Sequence, residues 1–390
     1  MSKYRSSVMA FLVGGPLLMD ILCGLHILYL ILQTIELGIP PRFQCLVGVI
    51  WSAGYVVGAR LAGHWCTPRR ASLMLRVSVC TSAIFMCISF LIAPNFPLYL
   101  CLGLLTGVQV GFYFTPYQVK MGHIHPFRSM ATAVAVYNIS WGIGFALGYM
   151  GAGWVLDQPG TTWIVCGLVL VSVTAHLLLL GLVDRGGNST ERGVEEMTGD
   201  FASTAIQRRC ALICMFVGFL FYTGLNGTLW PNLAKESGLS STMVGIGACC
   251  AIIQIPALAL LWAKLARRVR SPWLIIGMLF VVGLSGLSMP FVSGWPAHFL
   301  IMVCVGAGYS CLIYHGLFYA NSDPVSRERS LGIVESTVGL GSLVGPTLMG
   351  VLAWDSGANR LPYVVGFCMV LVTCVVVAIM WRNATRASDG

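Results

Sequence analysis

Residues 24–39 read GLHILYLILQTIELGI, and residues 224–239 read GLNGTLWPNLAKESGL. At an offset of 200 the Gly-Leu pair is kept, His26 meets Asn226, Glu36 meets Glu236 and Gly38 meets Gly238. The relation recurs elsewhere. An offset of 204 sets ARLAGHWCTP, from Ala59, on AKLARRVRSP, from Ala263. An offset of 201 sets Arg128-Ser129 on Arg329-Ser330, Gly107 on Gly308, Tyr113 on Tyr314 and Gly144 on Gly345. Three matches within four residues of one offset point to a duplicated chain.

The repeated stretches are strongly apolar. Hydrophobic residues make up 57% of the 390 and charged residues 9%, with a mean hydropathy of +0.82. A soluble domain carries roughly 25% charged residues, so most of this chain does not face water. Apolar runs of about 20 residues match the length a helix needs to cross a bilayer. Twelve spans are expected: 8–33, 42–65, 72–93, 97–119, 129–154, 161–183, 209–233, 242–264, 273–293, 297–319, 330–353 and 361–381. Helices are expected over barrel strands, because the runs are long and continuous and lipid offers the backbone no other partners. The first span carries Asp20 and lacks a small-residue cleavage site, so it is read as a retained span rather than a signal peptide. The one long polar stretch, DRGGNSTERGVEEMTGDFASTAIQR at 184–208, reads as a linker. It divides the chain into six-span halves at 1–183 and 209–390.

Charge placement sets an orientation. With the N-terminus on the cytoplasmic side, 18 Lys and Arg fall on that side, against Arg42, Lys235 and Arg360 on the other; Arg60 and Arg76 lie near helix ends. The positive-inside rule then puts both termini in the cytoplasm, expected to be that of a plasma (inner) membrane. The net charge of +9 is therefore read as an insertion signal, and no nucleic-acid partner is expected. The fifteen cysteines are scattered through apolar spans without paired CxxC units, so they read as small apolar filler. No metal, cofactor or enzymatic activity is expected, and a monomer is.

Twelve spans, a central linker and a Leu-Ala motif with basic residues after the second and eighth spans resemble the major facilitator superfamily over essentially the whole chain. The resemblance implies an all-α fold of two pseudo-symmetric six-helix bundles around a central cavity that opens alternately to each side. It also implies that spans 1, 4, 7 and 10 line that cavity. The signature loop is partial: Ala59, Leu61, Ala62, His64, Arg69 and Arg70 follow it, but Gly63 stands at the position usually held by Asp, and Arg267 at its repeat. The antiporter Arg of span 4 is absent. The GxxxGP of span 5 reads Gly144-x-x-x-Gly148-Tyr149, its proline version appearing in span 11 as Gly341-x-x-x-Gly345-Pro346.

Acids inside a span are costly and default to functional candidates. Two qualify: Asp20 in span 1, about twelve residues or roughly 18 Å in, is the first choice for proton coupling. Glu335 in span 11 is the second proton-coupling candidate, or a gate latch paired with Arg60 or a loop arginine. Arg60, Arg69, Arg70, Arg267 and Arg268 make up the cytoplasmic gate motif. Polar-aromatic stripes at three- and four-residue spacing mark candidate binding faces. They are His26 and Tyr29 with Gln33 in span 1, Gln109, Tyr113 and Tyr117 in span 4, Tyr222, Asn226 and Trp230 in span 7, and Tyr314 and His315 with Phe318 in span 10. Asn138, Trp141 and Gln254 follow as second-tier candidates. His176 and His298 are given no role. Glycines in spans 5 and 11 read as small faces along which the halves pack.

No GxxxxGK[ST] occurs, so a gradient rather than ATP is the expected energy source. The residues suit a secondary transporter of a polar-neutral, amphipathic or cationic small molecule. A drug efflux pump, a uniporter or uptake permease for sugar-like solutes, and a non-transporting receptor or scaffold stay open as alternatives.

Overall fold

The computed structural model describes residues 2–124, 130–158, 160–186, 204–268, 271–322 and 327–389. Most of the linker (187–203) and the side chains of Arg267 and Arg268 lie outside the described residues. Twelve helices are long and apolar enough to span a membrane. They are α1 Ser6–Glu36, α2 Pro41–Trp65, α3 Arg69–Leu91, α4 Phe96–Lys120, α5 Ala131–Asp157 and α6 Thr162–Asp184. After the linker come α7 Ala205–Glu236, α8 Ser241–Ala266, α9 Trp273–Phe291, α10 Trp295–Ala320, α11 Ile333–Ala353 and α12 Leu361–Arg386. The two termini share one face of the bundle, called here the terminal face. The opposite, far face carries the α1–α2 and α7–α8 turns.

Those two turns are the same turn built twice. Gly38 (φ 68°) and Gly238 (φ 76°) take the left-handed conformation that glycine tolerates. Around them Gly38 N donates to Ile35 O and Ile39 N to Thr34 O, as Gly238 N does to Lys235 O and Leu239 N to Ala234 O. This pattern satisfies the last free carbonyls of a helix before the chain reverses. The packing repeats as well. Pairs α1–α5, α2–α4, α3–α4, α3–α6 and α1–α6 have counterparts in α7–α11, α8–α10, α9–α10, α9–α12 and α7–α12. Between the sets the packing is mainly α2 against α11 and α5 against α8, with smaller contacts of α5 with α10 and of α1 and α2 with α7.

Two helices depart from the expected continuous spans. In α7 the α-helical hydrogen bonding gives way to a π turn over Leu225–Leu229, just before Pro231. Proline has no N–H to give, and the wider turn absorbs the mismatch. In α8 a break at Ile253 precedes Pro256 for the same reason. Prolines inside α1 and α11 leave the helices unbroken, because the freed carbonyls find other donors. Pro16 frees the Leu12 carbonyl, which accepts from Tyr117 Oη at 2.8 Å. Pro346 frees that of Ser342, which accepts from Ser52 Oγ at 3.1 Å.

Glycines set how close the helices come. A methyl on Gly107 would land on the Trp51 backbone, and one on Gly58 on that of Val108, so α2 and α4 touch main chain to main chain. The glycines of α5 and α11 divide between two jobs, where the sequence suggested one. Gly142 and Gly153 face α8, and Gly339 and Gly350 face α2, across the central seam. Gly144 and Gly148, four apart on another side of the helix, face α1, and Gly341 and Gly345 face α7. Outward surfaces of α3, α6, α9 and α12 expose Leu73, Val171, Leu178, Leu284 and Val372, as lipid-facing helices do.

Gly107→Leu is expected to drive α2 and α4 apart and cost about 1–3 kcal/mol. A lowered melting temperature in detergent, measured by tryptophan fluorescence, checks it.

Candidate functional site

A cavity of about 190 Å³ sits between the two sets of helices. Its wall is drawn from α1, α2, α4, α5, α7, α8, α10 and α11, and none of its residues comes from α3, α6, α9 or α12. Aromatic side chains make up about a third of the wall, aliphatic ones most of the rest. Trp51 and Tyr55 come from α2, Tyr137, Trp141, Phe145 and Tyr149 from α5, and Phe219 and Tyr222 from α7, with Tyr309 on α10. Tyr222 lies flat on Tyr309, with centroids 3.7 Å apart and planes 6° from parallel. Such rings offer a body for an apolar group and a quadrupole for a cation. No Lys or Arg is in the wall.

Two carboxyls are. Asp20 is 1% exposed, and neither of its oxygens has a hydrogen-bond partner among the described residues. Glu335 is held differently. Tyr55 Oη donates to its Oε2 at 2.5 Å and Gln118 Nε2 to its Oε1 at 2.6 Å. The pairing expected with Arg60 is replaced by two neutral donors, one from α2 and one from α4. Arg60, Arg69 and Arg70 are exposed and make no ion pair among the described residues.

Of the expected binding residues, the structure gathers Tyr222, Asn226 and Trp141 at the cavity wall. Asn138 stands one layer behind and accepts from Trp141 Nε1 at 2.9 Å. The others lie elsewhere. His26 Nε2 bonds Ser89 Oγ of α3 at 2.9 Å, and Tyr29 sits edge-on to Phe90 at 4.7 Å. Gln109 does not reach the wall; its carbonyl accepts from Ser78 Oγ. Tyr113 is buried against His176, and Tyr117 bonds Leu12. Trp230 Nε1 donates to Val244 O at 3.0 Å, Gln254 Nε2 to Cys250 O at 3.2 Å, Tyr314 Oη to Ala131 O at 2.9 Å and His315 Nδ1 to Cys311 O at 2.9 Å. Spacing of three and four puts residues on one helix face, but it does not say which neighbour that face meets. For Trp230 the π turn adds a residue to the turn, so it leaves the face that Tyr222 and Asn226 share. The residues missed, Tyr55, Tyr137, Tyr149, Tyr309 and Gln118, fall outside the stripes; Tyr137 and Gln118 had a signal, as the neighbours of Asn138 and Tyr117.

The described cross-links between the halves also cluster on the far face. Lys235 Nζ meets Glu36 Oε1 at 2.6 Å, and Asn232 Nδ2 donates to Gln44 Oε1 at 2.6 Å. Arg42 pairs with Asp355 at 3.4 Å and covers the Trp354 ring at 4.5 Å. The Asp157 carboxylate of α5 accepts from Ser241 N and Thr242 N at 3.1 and 2.7 Å. It thereby caps the positive end of α8. On the terminal face, Asp184 binds Arg76 and Lys120 at 2.8 and 2.7 Å, tying α3, α4 and α6 within one half.

Residues 17–322 match the family model described as Major Facilitator Superfamily, and residues 211–389 match it again. No curated protein sequence matches the chain. Among solved structures, the human organic anion transporter MFSD10 (TETRAN) superposes with a TM-score of 0.67 at 15% identity, covering 96% of this chain and 99% of that one. A bacterial homologue of the human lysosomal transporter Spinster, inward-facing and occupied, gives 0.68 at 15% identity, over 98% and 97%. At such identities the likeness is one of fold.

On a background with the native cysteines replaced, Tyr222→Cys and Trp141→Cys are expected to react with a small water-soluble thiol reagent. Cysteine at His26 or Tyr314 should react at least about tenfold more slowly, because those side chains are packed away from the cavity. Mass spectrometry of the labelled protein checks it.

Proposed function

The chain belongs to the Major Facilitator Superfamily and is a multi-pass membrane transporter, and from that premise we propose that it works by proton-coupled alternating access. The solute is a small polar-neutral, amphipathic or cationic organic molecule. The observation that carries this reading is Asp20, buried at the cavity wall with no hydrogen-bond partner for either oxygen among the described residues. A charged carboxylate inside a membrane costs a few kcal/mol. It is relieved by a proton or by a cationic solute, so the occupancy of Asp20 is linked to that of the cavity. The aromatic and aliphatic wall supplies most of the contact area, and the polar tips of Tyr222, Asn226 and Ser52 orient the solute.

Residues 1–183 and 209–390 are the two moving units, joined by the linker at 184–208, with both termini in the cytoplasm. Rocking them opens one face as it closes the other, and substrate binds where they meet. Opening the far face must break the Glu36–Lys235 and Arg42–Asp355 pairs and pull the α8 N-terminus from Asp157. Glu335, bonded by Tyr55 and Gln118 across the halves, is the corresponding tie on the other side of the cavity. MFSD10 is described as an organic anion transporter. Two acids and no Lys or Arg in this wall oppose an anionic solute here.

Proteoliposomes with an imposed pH gradient test the proposal, screening organic cations, amphiphiles and neutral polar solutes in both directions. Asp20→Asn is expected to abolish gradient-driven accumulation while leaving counterflow. Accumulation retained in Asp20→Asn would sink the coupling role. A second outcome concerns the far face. Asp157→Asn removes a charge-assisted cap of about 1–2 kcal/mol, so labelling of a cavity cysteine from that side is expected to rise roughly tenfold.

A further inference from the structure

Behind the cavity, on the side away from the second half, α6 brings a histidine into a buried corner between α1 and α4. His176 is 1% exposed, and among the described residues its ring nitrogens make no hydrogen bond beyond an approach to the Gly15 backbone. Its ring stands edge-on to Tyr113 at 5.3 Å and to Phe11 at 6.1 Å. Tyr113 is fully buried, and its hydroxyl has no hydrogen-bond partner among the described residues. Native folds rarely leave such groups unserved, since each costs about 1–3 kcal/mol when buried alone. Here Tyr113 and His176, in contact, and Asp20 further along α1 leave five side-chain polar atoms without a full hydrogen bond among the described residues.

The backbone of α1 is bare where they meet. A methyl on Gly15 would sit 3.3 Å from Tyr113 Oη and 3.5 Å from His176 Cε1, so Gly15 is what lets both side chains approach. The rings then continue inward. Tyr113 stacks on Tyr117 at 6.0 Å, and Tyr117 on Tyr137 at 6.2 Å, and Tyr137 is in the cavity wall with Asp20. Outward, α6 reaches the terminal face at Asp184, eight residues or about 12 Å beyond His176.

We infer that His176 and Tyr113, bridged by water, form a proton route between the terminal face and Asp20 that runs behind the substrate cavity. The inference rests on Asp20 being the proton-carrying acid. No covalent bond to carbon, nitrogen or oxygen changes apart from those to hydrogen. His176 takes a proton at one ring nitrogen and releases one from the other. Tyr113 passes one through its hydroxyl, and Asp20 keeps it on a carboxyl oxygen. The charged and titratable groups facing this corner are Asp20 from α1, with Tyr113 and Tyr117 from α4. Arg76 of α3 and Lys120 of α4 stand further out, both committed to Asp184. His176 is the titratable side chain that α6 carries between the Tyr113 corner and Asp184. A separate route lets the proton come and go while solute fills the cavity.

The test needs no substrate. Wild-type protein in phosphatidylcholine vesicles is given a pH jump, and the carboxylic acid band of Asp20 is followed by time-resolved infrared difference spectroscopy. The wild-type band is expected to vanish in Asp20→Asn, which identifies it. In His176→Phe and Tyr113→Phe it should reach the same amplitude but rise more slowly, on the order of a hundredfold for loss of a positioned proton-transfer group. His176→Gln keeps the volume and a hydrogen-bonding group, so it separates relay from packing; it is expected to be as slow as His176→Phe. A band that rises at the wild-type rate in His176→Gln and Tyr113→Phe overturns the route and leaves Asp20 as the coupling acid. A band that persists in Asp20→Asn overturns the coupling proposal itself, and the route with it.

Discussion

Within a bilayer the backbone has no water to fall back on, so each N–H and C=O must be satisfied by protein. Nearly every feature of this molecule follows from that requirement. It makes the spans helical and forces a π turn in α7 and a break in α8 beside their prolines. It also recruits Tyr117 and Ser52 to carbonyls that Pro16 and Pro346 set free. These two bonds join different helices, so the repair of a local defect becomes a tertiary contact. In α11 that contact crosses the central seam.

The same solvent removes the usual reason for helices to associate, because lipid is as apolar as their side chains. Close approach takes its place. The α2–α4 and α1–α5 contacts are main chain against main chain at Gly107, Gly58, Gly144 and Gly148. They are rigid for that reason. The contacts between the halves mix such approaches with ion pairs and single hydrogen bonds, most of them at the far face. Exposed ion pairs contribute about 0–1 kcal/mol each. Contacts of that size can be broken and remade, which is what a moving interface requires.

Two acids in one cavity, held in opposite ways, give the site its character. Glu335 is held by neutral donors from the other half, whereas Asp20 has none. Charge in such a place has a cost that something else must offset. That imbalance is the physical reason to assign Asp20 the coupling role, and it draws attention to His176 and Tyr113 behind it.

The amino-acid pattern alone determined the spans and the duplication, and it singled out Asp20 as a candidate, because length, hydropathy and a stray charge in an apolar run are local properties. It also carried Tyr222, Asn226 and Trp141 to the cavity. Partners were another matter. His26, Tyr113 and Tyr314 share the spacing of true wall residues, yet they turn to α3, α6 and α5, since a helix face has direction only relative to its neighbours. Glu335 was legible as an acid, but its donors Tyr55 and Gln118 are 280 and 217 residues away. Trp230 left its stripe because a π turn shifts the register by one residue. Those decisions belong to the tertiary structure, where long-range packing sets which polar groups meet and which are left unpaired.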